Sequence, residues 1–203
     1  MMIFPQILIL TVWSGYIFEY KLEQASQPGQ AGFVTYYKIW VEGSNLRRDI
    51  GNEISTYIDL DKRKRYEVNH LNTTVREVPF EADPEDVVFT KAWPPVERKG
   101  AHSCDVYQTR MTQPDGIIEL TIWISKTSQT DEGKSLLELL TNQALEKAFG
   151  GTVPKGIPVS FSVKVFQPDG KKELGFMSID LVSNKKTAIP SEVFEMPLGY
   201  KTQ

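Results

Sequence analysis

Apolar and polar residues alternate along most of this chain with a period of two. At that spacing successive side chains of a β-strand point to opposite faces. Tyr16, Phe18, Tyr20 and Leu22 alternate with Ile17, Glu19, Lys21 and Glu23, which predicts a strand with an aromatic face and a charged face. Residues 33–41 are aromatic and β-branched on both faces, and residues 26–30, with Pro28 and Gly29, read as the turn before them. Short strands follow over 46–50, 54–60, 65–70 and 73–78. Residues 81–95 break the rhythm: Pro84, Pro94 and Pro95 among Asp83, Glu85 and Asp86 predict a surface crossover with room for one helical turn.

Strands resume over 103–111 and 117–124, separated by Gln113-Pro114-Asp115-Gly116. The same tetrapeptide, Gln167-Pro168-Asp169-Gly170, separates strands over 159–166 and 174–182. Proline sets φ at the turn start and glycine supplies a positive φ, so both read as hairpins of one geometry. Between the hairpins lies one long helical signal, 135–149. Leu136, Leu137, Leu140, Ala144, Leu145 and Ala148 recur at three- and four-residue spacing, and Gly150-Gly151 stops the run. Such a helix should pack across the sheet. A last short strand is expected around Val193 and Phe194, in a tail that holds Pro190 and Pro197. The pattern therefore predicts a mainly β (α+β) protein, an antiparallel sheet with one helix. Residues 15–203 read as a single domain, because neither half of the pattern buries its strands alone.

At 203 residues the chain is long enough to bury roughly 70% of its unfolded surface without a metal or disulfide. The 40% hydrophobic and 24% charged shares exclude a disordered or fibrous protein, and a net charge of −3 leaves no footprint for nucleic acid. The basic run from Lys62 to Arg65 follows Asp59 and Asp61 and reads as a solvated turn. A lone cysteine, Cys104, has no intramolecular partner for a disulfide. Residues 1–14 begin with an apolar stretch too short to span a bilayer, which needs about 20 residues. With the small residues Ser14 and Gly15 behind it, the stretch reads as the back half of a secretory signal; a buried N-terminal strand is the alternative. No stable transmembrane anchor is predicted.

Catalytic and metal chemistry find little support. His70 and His102 are separated by the proline-rich crossover, and His102 with Cys104 supplies only two of the ligands a zinc site needs. Cys104 beside Val106 reads as core, and Asp83, Glu85 and Asp86 read as a solvated turn. Nucleophile elbow, phosphate loop, dinucleotide fingerprint and His-Glu-x-x-His are all lacking. No cofactor or metal is implied. Aromatic and branched residues, in contrast, occur on many strands. Most must be ordinary core, yet one helix about 22 Å long leaves much of a sheet to cover. Surplus apolar surface is closed by loops or holds a ligand.

Several segments recur together in a family of uncharacterised exported bacterial proteins. They are Leu46-Arg47 after an aromatic strand, the run from Gly100 to Tyr107, the run from Glu119 to Ser125, Gly156-Ile157-Pro158-Val159, and the closing run from Val193 to Lys201. Over about residues 16–201 the chain thus resembles that family, which is similar to the outer-membrane lipoprotein carriers (LolA and LolB) and other periplasmic lipid-binding proteins. The resemblance implies a strongly curved antiparallel sheet, an unclosed barrel, with a helix over its concave face, and a periplasmic location. It also implies the carriage of acyl chains, the binding of lipids or the sensing of envelope stress, with Arg47 as a counterpart of the carriers' arginine by strand order alone. On this reading Phe18, Tyr20, Tyr37, Ile39, Ile122, Phe161 and Val163 are an apolar wall, and Leu136, Leu140 and Ala144 a lid. The partner is a lipid or lipid-modified protein, and the chain is not an enzyme. The alternatives are an envelope interaction or stress-sensor module with a filled core, and, more remotely, a hydrolase with a dispersed site.

Overall fold

The alternating segments become strands of one sheet. The computed structural model describes residues 14–25, 32–79, 87–128, 130–141 and 145–203, with the side chains of residues 131, 140, 141 and 146 excepted. The expected signal segment, apart from Ser14, therefore lies outside the described residues. The strands are β1 (Ser14–Ala25), β2 (Phe33–Glu42), β3 (Asn45–Ile50), β4 (Ile54–Asp59), β5 (Lys64–Asn69), β6 (Thr74–Val78), β7 (Thr90–Lys99), β8 (His102–Gln113), β9 (Gly116–Ser125), β10 (Pro158–Phe166), β11 (Glu173–Ala188) and β12 (Lys201–Thr202). Their order across the 12-stranded sheet is β12-β6-β5-β4-β3-β2-β1-β11-β10-β9-β8-β7. The sheet is antiparallel throughout except at β12, which runs parallel to β6, and it does not close on itself. It consists of two meanders joined where β1 pairs with β11, from Ser14 opposite Ala188 to Ala25 opposite Phe176.

Directly paired residues share a face, so the register reads out rows across the sheet. One row runs Leu22, Ile179, Phe161, Ile122, Tyr107, and all five are buried. Neighbouring rows on this core face carry Tyr20, Phe18, Ile39, Val41, Leu46 and Ile58. Between β9 and β10 the chain forms α1 (Asp131–Thr141) and α2 (Leu145–Ala148). Leu136, Leu137, Leu145 and Ala148 join the strand residues in one core cluster, which Val87, Phe89 and Phe149 complete. Burying each large apolar side chain contributes about 1.5–3 kcal/mol. Ser135 Oγ donates to the Gly43 carbonyl at 2.8 Å and fixes the start of α1 against the β2–β3 turn.

Four sequence expectations are corrected. The helix begins at Asp131, ahead of the apolar periodicity, because Thr130 caps it: the Gly133 N–H donates to Thr130 Oγ1 at 3.1 Å. The crossover gives way earlier than expected to β7, which includes Pro94 and Pro95. That is tolerated because β7 is an edge strand whose pairing lapses between Lys91 and Val96. Val193 and Phe194 lie in a 3₁₀ turn (Ser191–Phe194), and the closing strand is β12 instead. Finally, the two Gln-Pro-Asp-Gly turns differ. In the first, Gln113 pairs directly with Gly116, where a Cβ would stand 2.6 Å from the Phe166 carbonyl oxygen, so glycine is needed for space. In the second, Gly170 takes φ +70° in a longer loop closed by Gln167 N–H on the Lys172 carbonyl.

Candidate functional site

Beyond the helices the core face continues as an apolar strip that is only half covered. The row after Leu22–Tyr107 runs Phe33, Gln24, Met177, Val163, Leu120. The next holds Gly175, Val165, Ile118 and Met111. Phe33 is 66% exposed, and Met177, Val163, Leu120, Val165, Ile118 and Met111 are half-buried. A depression of about 400 Å³ opens at the β10–β11 end of this strip, lined by Val163, Val165, Leu174, Phe176 and Met177 with Gln24, Ala25 and Gly175. On β2 the strip leads back through Thr35 to Tyr37, which shares a row with Ile50 and Ile54.

Of the residues expected to form wall and lid, Tyr37 and Val163 lie on this accessible strip. Phe18, Tyr20, Ile39, Ile122 and Phe161 are buried in one core cluster with Leu136 of α1. A ligand would meet those five strand residues only after the helices moved. Leu140 and Ala144 lie outside the described side chains. Tyr20 is tied in place: its hydroxyl donates to the Pro158 carbonyl at 2.7 Å, and burial pushes its pKa up.

Arg47 lies on the opposite face and is fully engaged there. Its guanidinium forks onto Asp49 (Nε–Oδ1 2.8 Å, Nη2–Oδ2 3.0 Å), donates to the Val193 carbonyl at 3.2 Å, and stacks over the Trp40 and Tyr57 rings. Beside it Ser55 Oγ donates to Asp49 Oδ1 at 2.7 Å and stands 2.7 Å from His70 Nε2, whose Nδ1 is 3.0 Å from Tyr200 Oη. The sequence singled out neither Ser55 nor Tyr200.

A serine, a histidine and an aspartate in contact suggest a nucleophile, but the proton directions oppose it. Ser55 Oγ gives its single proton to Asp49 Oδ1, so in the 2.7 Å contact with His70 Nε2 the ring nitrogen is the donor. His70 is therefore not the base of Ser55, and Ser55 is 1% exposed. The chain of hydrogen bonds instead fastens the C-terminal segment to the sheet. Cys104 is buried, its thiol raised by burial, and among the described residues no three His, Cys, Asp or Glu side chains could hold a metal together.

The core face also carries charge that the sequence reading missed. Arg48 sits between Leu46 and Ile50 at the apolar parity of β3, and Arg65, Glu67 and Arg76 occupy the same face on β5 and β6. An arginine at an apolar position of an alternating strand was the available signal. A second depression, about 530 Å³, lies largely on the opposite face among Glu19, Tyr36, Lys38, Trp40, Asp49 and Val182. Among the described residues no helix is long and apolar enough to cross a membrane.

No family model and no curated protein matches the chain. Among solved structures it is similar to PNGF-II (10% identity, TM-score 0.48, covering 92% of this chain and 30% of that one). It is also similar to a LolA superfamily protein from Nitrosomonas europaea (8% identity, TM-score 0.40, 90% of both chains). A third similar structure is a DUF1329 family protein from Desulfovibrio piger (7% identity, TM-score 0.39, 91% and 90%). The chain thus spans less than a third of the length of PNGF-II and most of the length of the other two. Likeness at these identities concerns the fold alone.

Proposed function

We propose that this chain is a non-catalytic, exported binding or carrier protein of the bacterial periplasm for an apolar ligand such as a lipid acyl chain. The half-covered strip from Phe33 through Met177, Val163 and Leu120 to Ile118 and Met111 carries the reading. It continues a packed core without a break and ends in an open depression, the geometry expected of a surface that a second apolar body completes. Each methylene laid on such a surface contributes up to about 0.8 kcal/mol, enough for reversible capture of part of a chain. The helices act as lid, with Leu136 on their inner side, and deeper entry needs their displacement.

The test is lipid extraction and native mass spectrometry of the purified protein, together with uptake of a fluorescent fatty acid. Val163→Asp should lower uptake severalfold in protein that circular dichroism shows to be folded. Failure to find either copurified lipid or fatty-acid uptake would count decisively against the proposal. The closely packed centre of the core favours a second reading, an envelope interaction module, whose contact surface would include the aromatic and charged depression on the opposite face. A stoichiometric protein partner in the absence of lipid would select it.

A further inference from the structure

The arginines of the core face are short of acceptors. Register sets Ile39, Arg48, Thr56, Glu67 and Arg76 in one row, with Arg65 in the next beside Ile58. Glu67 accepts from Arg65 at 3.0 Å and from Arg76 at 2.7 Å, while among the described residues Arg48 donates to Thr56 Oγ1 alone, at 3.2 Å, and lies over the Tyr37 ring. Three guanidiniums thus share one carboxylate, leaving two positive charges uncompensated within the cluster.

The Nε atoms of both Arg48 and Arg65 are shut off from solvent and have no hydrogen-bond partner among the described residues. A buried charged donor without an acceptor is unfavourable, and its presence in a folded protein asks for an explanation. Burial above all, with the like charge of Arg65 adding to it, pulls Arg48 below its ordinary pKa. The row next to Arg48 is Tyr37, Ile50 and Ile54, half-buried apart from Ile54, which is 38% exposed. Arg48 therefore borders partly exposed apolar surface, with Arg65 one row behind it, as the recognition of an amphiphile by both its ends requires.

We propose that Arg48 and Arg65 form an oxyanion subsite for the carboxylate or phosphate head of a ligand whose apolar chain lies over Tyr37, Ile50 and Ile54. The placement of the chain rests on the apolar-ligand reading above; the oxyanion subsite does not. The full-length protein is tested with three probes: a fluorescent long-chain fatty acid, its uncharged methyl ester, and inorganic phosphate. The fatty acid should bind about tenfold tighter than the ester in low salt, the factor that a charge-assisted hydrogen bond supplies. That advantage should shrink between about 0.05 and 0.5 M salt as screening grows. Arg65→Met, and Arg48→Met where it folds, should abolish the preference without changing ester affinity, and Arg48→Lys should retain part of it.

Equal binding of acid and ester, indifferent to salt and to Arg65→Met, overturns the subsite and leaves the carrier reading intact. Arginine-dependent binding of phosphate with neither lipid bound supports the subsite, identifies a soluble anion as its source, and ends the carrier reading. Binding of none of the three overturns both.

Discussion

Replacing Tyr200 tests whether the C-terminal segment is a fastened strap or a loose end. The segment is held by the Arg47 contact to the Val193 carbonyl, by Tyr200 on His70, and by Lys201 and Gln203 N–H groups on the Thr73 and Val75 carbonyls. Beneath it the apolar Val68 is fully buried although it shares the face of Ser55. Tyr200→Phe removes one hydrogen bond to half-buried His70, a loss of about 1 kcal/mol. Tyr200→Ala also removes the edge-on ring contact with His70, 5.8 Å between centroids, adding about 0.5–1.5 kcal/mol. For a domain of this size the alanine variant should melt roughly 4–8 °C lower if unfolding is two-state.

Hydrogen exchange distinguishes the strap from a general weakening. The Lys201 and Gln203 amides should exchange roughly tenfold or more faster in Tyr200→Ala, while amides of β1 and β11 keep their protection relative to the global stability. A double-mutant cycle with His70→Ala should give a coupling of about 0.5–2 kcal/mol. Additive effects, or tail amides that exchange at the wild-type rate in Tyr200→Ala, would refute the strap.

Tyr20→Phe should cost about 1–3 kcal/mol by chemical denaturation, because it leaves the buried Pro158 carbonyl without the hydroxyl that now reaches it at 2.7 Å. The hydrogen bond from Arg76, followed by that from Arg65, holds the Glu67 carboxyl below its ordinary pKa. A depressed folded pKa stabilises the fold above the unfolded value of about 4.3 and loses that contribution as pH falls through the folded value. Glu67→Gln should therefore flatten the acid side of the stability curve, and an unchanged curve below pH ~4.5 would contradict the pairing. Cys104 is buried with a raised thiol pKa, so a thiol reagent at pH 8 should label it only at the rate of global or local opening.

Period-two alternation made most strands legible, because the side-chain period of a strand is written residue by residue in its own sequence. It failed where a strand's tolerance depends on position in the sheet. Pro94 and Pro95 look like breakers until β7 is known to be an edge. The pairing of β1 with β11 leaves no local trace, since the partners lie far apart along the chain. The candidate surface was legible in composition but not in depth. Phe18 and Val163 carry the same apolar signal, and only the position of the helices buries one and leaves the other half open. Arg48 showed as a break in the alternation of β3, but its missing acceptor is a three-dimensional fact.

The seam between β1 and β11 has a consequence for biogenesis. β1 occupies the middle of the sheet and meets β11, its second neighbour, only after some 150 further residues have been made. Until then a nascent chain holds a β1–β6 meander with one naked central edge, and the long loop that joins the halves must close late and slowly. Such an intermediate invites pairing with foreign strands, so holding factors should matter more to this protein's yield than its final stability does.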